Sequence, residues 1–324
     1  RDLVVGIETH LATSTDGGKT WELVKTLWPR TPVKWASRIT QQREPGFLSH
    51  EVPNILPCTI DDKPAWVGVH ADYFLSREGN YKGRDSRSFC IRLRTAPSPI
   101  KLSDAPQVTF GHARSSPDCK TDINLCDLAR DFPPVFIPTE PALHFRNGRL
   151  YFAVVCMAFR DRDTPDFARS FVALLSTTPS GPVDQWKWRY HGKLAGRKEA
   201  AELGGEALTQ TEFALDRGGQ LLVFLSPARW NAEAAREFGD AFGGIKLRGC
   251  AVVEVASLDP PKLAGDEDGA LVVRTFLRAP ASSPYGTTAA AYEPASATGI
   301  LLALRNIKAK QELVWSLHPT RLHP

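Results

Sequence analysis

Residues Thr139–Val155 read TEPALHFRNGRLYFAVV: a short strand, a Gly-containing turn, then a more strongly apolar strand. The same plan returns in HEVPNIL from His50, TEFALDRGGQLLVFL from Thr211 and TAAAYEPASATGILLAL from Thr288, with Asp61-Asp62 as the first copy's turn. A second pattern, strand, Pro/Gly/Ser turn, strand, lies downstream of each. It reads IRLRTAPSPIKL at Ile91–Leu102, ALLSTTPSGPVDQWKW at Ala173–Trp188, VVEVASLDPPKL at Val252–Leu263 and LVWSLHPTRL at Leu313–Leu322. A fifth copy, LATSTDGGKTWELV at Leu11–Val24, opens the chain. Two strand pairs per repeat make a four-stranded antiparallel unit, and such units repeated around a ring make a β-propeller. The expected fold class is all-β, a β-propeller of five blades, with six the alternative if one blade is degenerate.

Composition agrees with many short strands. The 324 residues include 24 glycines and 25 prolines, more than ordinary usage, and are read as one domain, 1–324. Helix-like density of Ala and Glu is confined to Gly196–Leu208 and Trp230–Phe242, and Phe110–Pro138 reads as a long loop between blades. Forty Lys and Arg against 36 Asp and Glu leave a net charge of +4, with no basic run to suit nucleic acid or a membrane surface. The longest apolar run, Leu150–Phe159, is half of the roughly 20 residues a membrane span needs. The six cysteines include no C-x-x-C pair; Cys119 and Cys126 bracket a short loop that a disulfide would staple, while Cys90, Cys156 and Cys250 fall in apolar strands. The chain opens on Arg1, and the expected location is secreted or periplasmic, with a leader removed or not included.

The first inner strand of each propeller blade lines the central channel. Aligning the repeats places Glu51, Glu140 and Glu212 in register, with Ala289 in the fourth copy. Carboxylates crowded at one axis repel one another and are partly desolvated, which raises the pKa of one of them, as a general acid requires. The opening blade has its outer pair alone, so its inner residues would precede Arg1.

TEPALHFRNGRLYFAVV resembles the third blade of five-bladed glycoside hydrolases of family 43 and relatives in families 32 and 68: a glutamate before proline, an apolar pair, a Gly turn and a Tyr-containing strand. HEVPNIL is similar to their Glu/Asp-x-Pro strand starts. The resemblance implies Glu140 as general acid and Glu51 in the place of the carboxylate that tunes it, where the family has Asp. The family's final-blade Gly-His is Gly286-Thr287 here. STDGGKTW (Ser14–Trp21) resembles the Asp box of sialidases and other propellers, with Asp16 bonding turn amides and Trp21 packed beneath. A sialidase-like hydrolase would need an arginine cluster, for which Arg248 and Arg305 with Tyr292 are the candidates.

Further candidates for substrate binding are His70 and Asp72, two apart on one strand and hence on one face, with Tyr73; Trp35 and Trp230 in polar loop contexts; and Arg248. Glu8 and His10 form a second pair of the same kind. Spacing gives no metal site, and no cofactor is expected, a structural calcium ion remaining open. Phosphate loops, nucleophile elbows and nucleotide fingerprints are missing from the sequence. The leading expectation is a monomeric glycoside hydrolase acting on a poly- or oligosaccharide through axial carboxylates; the alternative is a non-catalytic propeller binding a glycan or protein.

Overall fold

The computed structural model describes residues 6–16, 20–36, 42–76, 90–112, 120–160, 164–216, 218–238 and 244–278, and the backbone of 286–293, 298–306 and 313–320. The chain is all-β, and five sheets follow one another along it. The first is the hairpin β1 (Thr9–Thr13) and β2 (Glu22–Trp28). The second runs in order through β3 (Thr31–Ala36), β4 (Arg43–Ile60), β5 (Lys63–Ser76), β6 (Cys90–Ala96), β7 (Gln107–Gly111) and β8 (Ile123–Asn124), antiparallel except for the last pair. The third is the meander β9 (Phe136–Arg146), β10 (Arg149–Ala158), β11 (Phe171–Thr177) and β12 (Arg189–Ala195).

The fourth sheet has the path β13 (Ala207–Leu215), β14 (Leu221–Trp230), β16 (Gly249–Leu258) and β17 (Pro261–Leu263). Two further strands join it, β15 (Ile245–Leu247) on β14 and β18 (Val273–Arg278) on β16. The fifth is β19 (Gly286–Glu293), β20 (Thr298–Asn306) and β21 (Leu313–Thr320). The two-stranded opening sheet matches the single strand pair of the first repeat. By internal packing the chain divides into two compact units, 1–151 with 177–189, and 152–176 with 190–324.

Local chemistry sets these hairpins. Asp61 and Asp62 join β4 to β5 with φ of 50° and 62°, and Asn147 and Gly148 join β9 to β10 with φ of 52° and 72°. Two consecutive left-handed residues are what a two-residue hairpin loop requires, because that turn follows the strands' own twist. Asp216 and Asp266 each accept two backbone N–H groups on Oδ1, from Gly218 and Gln220 and from Asp268 and Ala270, closing two further turns. In β10, Phe152 to Cys156 are each 0% exposed, so both faces of the strand are covered and alternation disappears.

Three expectations change. After the Pro/Ser turn at Pro97 the chain does not enter a strand at Ile100: Pro99–Asp104 is a 3-10 turn with proline in its first turn, and β7 starts later, at Gln107. Val183–Gln185 does the same ahead of β12, because proline fixes φ near the helical value and favours a turn over an extended start. The loop expected over Phe110–Pro138 carries β8 and the one-turn helix α1 (Leu125–Leu128), capped by Asn124, whose side chain accepts from the Cys126 N–H at 3.2 Å. The helical segments became α2 (Arg197–Glu202) and α3 (Ala232–Phe238). Cys119 lies outside the described residues, and the proposed staple to Cys126 with it.

The third change concerns register. Opposite His70 of β5 stand two residues of β4, Val52 and Pro53, since Glu51 pairs with Ala71 and Asn54 with Val69. That is a β-bulge, one extra residue in one strand, and Val52 takes φ 49°. In β9 the left-handed residue is Glu140, φ 50°, and it too precedes a proline. In β13 the extra residue lies among Thr209 and Gln210, between the pairs Leu208–Pro227 and Thr211–Leu225. Glu140 holds the left-handed position that Val52 holds in β4, Glu51 lies one residue before that position, and Glu212 lies two residues past Gln210. The three glutamates therefore occupy three different positions of their strands.

Candidate active site

Strands β4, β5 and β6 build the most polar buried cluster among the described residues. The bulge brings His50 opposite Asp72, and His70, two residues back, lies opposite Arg92 of β6. Paired and i, i+2 residues share a face, so His50, His70, Asp72 and Arg92 converge. Asp72 is 0% exposed. Its Oδ1 lies 2.6 Å from His50 Nδ1 and 3.5 Å from His70 Nε2, and its Oδ2 meets the Arg92 guanidinium. Burial alone would raise the Asp72 pKa; the His50 hydrogen bond, the neighbouring His70 ring and Arg92 outweigh it and hold it below the ordinary value.

His70 is 1% exposed. Its ring is tilted 31° over the Trp28 indole at 4.0 Å and meets His50 edge-on at 5.3 Å. Burial pushes its pKa down to about 3 against the pull of Asp72, so the ring is neutral at pH 7. The backbone of His50 is pinned by the segment before β1 and by β1 itself: its N–H donates to Ile7 O and its carbonyl accepts from Thr9 Oγ1, both at 3.1 Å. Arg94, next on the same face of β6, is occupied with Ser103 O at 3.0 Å and Ala105 O at 2.9 Å.

Glu51 and Tyr73 lie on the opposite face, since neighbouring residues alternate. Tyr73, fully buried, donates its hydroxyl to Glu51 Oε2 at 2.9 Å. Strand β9 packs beside β4, and the Asn54 side chain accepts from the Leu143 N–H at 3.2 Å. Two neighbouring strands thus each carry a left-handed residue before a proline, with a half-buried glutamate at or next to it: Glu51 beside Val52, and Glu140 itself. A non-glycine residue at φ near +50° costs about 1–2 kcal/mol, and for β-branched Val52 the conformation is a true outlier.

The other candidates separate. Glu212 is half-buried and accepts from its neighbour Phe213 N–H at 3.0 Å. Trp35 is 8% exposed and stacks on Phe74 at 5.8 Å in an apolar cluster with Leu48 and Cys90; it is core, because it lies within β3, which pairs with β4. Trp230 is half-buried at the end of β14 and meets Phe167 edge-on at 6.4 Å. Arg248 is exposed, with its N–H donated to Pro227 O at 2.8 Å. Side chains of Tyr292 and Arg305 lie outside the described residues. Glu8 and His10 form a solvent-facing group with Arg30, whose Nε is 3.3 Å from Glu8. Asp16 accepts from Thr20 N–H at 2.9 Å and Thr20 Oγ1 at 2.7 Å; Trp21, expected beneath that turn, is 60% exposed.

His50, Arg92 and Trp28 were not singled out by sequence reasoning. A regular hairpin about Asp61-Asp62 pairs His50 with Tyr73, and only the bulge shifts it to Asp72. Proline two residues after Glu51, next to a β-branched residue, was the available signal for that bulge.

No family model matches the chain, and neither does any curated protein at a significant level. Among solved structures it is similar to an α-L-arabinofuranosidase of Lactobacillus brevis, with 12% identity and a TM-score of 0.39 over 78% of this chain and 59% of that one. It is also similar to the α-L-arabinanase of Cellvibrio cellulosa in complex with arabinohexaose, with 10% identity and a TM-score of 0.43 over 89% and 70%. An α-L-arabinofuranosidase of Fusarium graminearum gives 13%, 0.43, 98% and 74%. The chain thus spans 59% of the length of the first of these. Likeness at this level transfers neither activity nor residues. No helix among the described residues is long and apolar enough to cross a membrane.

Proposed function

We propose that this chain is a glycoside hydrolase of propeller build, acting on a poly- or oligosaccharide, with Glu140 as the general acid and Glu51 as the carboxylate beside it. The observation that carries the reading is the backbone at Glu140, held at φ 50° inside a strand immediately before Pro141. Backbone strain concentrates where a side chain must be aimed against the preference of its strand. The neighbouring strand repeats the device at Val52 and presents Glu51, which Tyr73 fixes by its hydroxyl. Two carboxyl groups are the pair that glycosidic cleavage uses, one protonating the leaving oxygen and the other serving as base or nucleophile. The sequence's likeness to family 43 supports the same assignment.

The test is release of reducing sugar from arabinans, xylans, fructans and aryl glycosides by the parent chain and by Glu140→Gln. Turnover by the parent that falls by about 10²-fold or more in the variant is expected. Equal turnover in both moves the acid elsewhere. If neither turns over while both keep the same circular dichroism, the chain is a glycan- or protein-binding propeller.

A further inference from the structure

The His50, His70 and Asp72 cluster is larger than the proposed hydrolysis needs, and it lies on the other face of the sheet from Glu51. We infer that these three side chains form a zinc site that clamps β4 to β5 at the bulge. Their ligand atoms all lie within 4.8 Å of one another, and all three residues are buried. Tetrahedral zinc with bonds of about 2.0–2.1 Å separates its ligand atoms by roughly 3.3–3.4 Å, and His70 Nε2 is 3.5 Å from Asp72 Oδ1.

His70 supplies the independent observation. It is 1% exposed, and neither ring nitrogen finds a hydrogen-bond partner among the described residues. A buried imidazole without a partner loses the hydrogen bonds it makes in water, and a metal ion offsets that loss by taking the lone pair of one nitrogen. The contact from His70 to Asp72 is too long for a hydrogen bond and right for two ligands of one ion. The 2.6 Å contact of His50 Nδ1 with Asp72 Oδ1 would open by about 0.7 Å around zinc, the imidazole carrying its proton on Nε2 so that the Nδ1 lone pair faces the ion.

The carboxylate is divided to suit. Oδ1 is the oxygen that both imidazoles meet, and Oδ2 is the one that Arg92 meets. Ligating carboxylates are regularly held by a donor on the other oxygen, which fixes their orientation. Trp28, packed on the His70 ring, fixes the second ligand in the same way. Two imidazoles and one carboxylate are donors that zinc accepts, and three protein ligands leave one position of a tetrahedral ion for water.

The experiment uses the full chain, dialysed against a chelator, at pH 7.5. Zinc chloride is titrated by calorimetry, melting is followed with and without zinc, and cobalt chloride is added to a separate sample. Expected are one zinc per chain, a melting temperature raised by several degrees, and a cobalt visible spectrum of tetrahedral intensity without a thiolate charge-transfer band. His70→Gln should weaken zinc at least about 100-fold. If that variant does not fold, the cobalt spectrum of the parent decides alone. Absent stoichiometric zinc, an unchanged melting temperature, a thiolate band or undiminished binding by folded His70→Gln would each overturn the site. None of these readouts uses sugar release, so failure here and failure of the hydrolase reading remain separate.

Discussion

His144 shows how one buried side chain writes a pH dependence into stability. It lies in β9, 7% exposed, with its ring 6.4 Å from that of Tyr151 and Arg146 nearby. Burial first, and the Arg146 charge second, push its pKa down to about 4. An unfolded histidine titrates near 6.5, so as pH falls the unfolded chain takes up the proton before the folded one. Stability from this residue is full above about pH 6.5 and is lost as pH falls from there toward 4. Linkage gives about 2 kcal/mol lost between pH 7 and pH 5. His144→Gln should therefore narrow the gap between the urea midpoints at pH 7 and pH 5, and an unchanged gap would mean that His144 takes up its proton at the same pH folded and unfolded. Other residues tell what was legible. His70 and Asp72 share a face, as their spacing implies, but His50 and Arg92 come to them through pairing that spacing does not encode. Trp35 reads as a loop aromatic from its polar neighbours, yet β3 pairs with β4 and buries it.

At the level of elements, hairpins were legible because their turns carry local chemistry. Asn147-Gly148 and Asp61-Asp62 mark two-residue loops, and both form with left-handed residues. Strand register was not legible, because a bulge inserts a residue without a large change in composition, and a shift of one moves every side chain to the other face. The two loops also permit a quantitative comparison. Asn147-Gly148 has glycine at its second position, while Asp62 holds φ 62° with an exposed side chain. Glycine adopts that conformation without a Cβ penalty, against a larger entropy loss on folding. Asp62→Gly should raise stability by about 0.5–1 kcal/mol, and Gly148→Ala should lower it by about 1 kcal/mol. An alanine Cβ at Gly148 would meet no atom within 4 Å, so the second effect is purely conformational. Opposite shifts of the urea midpoint are the expected result; shifts of the same sign would show that side-chain contacts of Asp62 dominate.

For the whole molecule, the repeat was legible because each sheet is built from consecutive strands, so local pattern and sheet order coincide. What the repeat hides is which positions are special, since the bulges of β4 and β13 and the left-handed residue of β9 fall differently along their strands. Charge is the remaining whole-molecule property with a functional consequence. Forty basic and 36 acidic residues are interspersed, so no large field of one sign steers a polyanion. A neutral polysaccharide is held by hydrogen bonds and ring contacts, which salt screens little, whereas a polyanion bound by several basic groups loses orders of magnitude in affinity as salt rises. Binding of the best polysaccharide from the substrate panel should therefore change less than about twofold between about 50 and 500 mM sodium chloride. Affinity electrophoresis or calorimetry at the two salt concentrations measures this. A steep decline would identify the ligand as anionic and turn attention from Glu140 to surface arginines such as Arg248, because a carboxylate-lined site repels the very polymer that such a result would require.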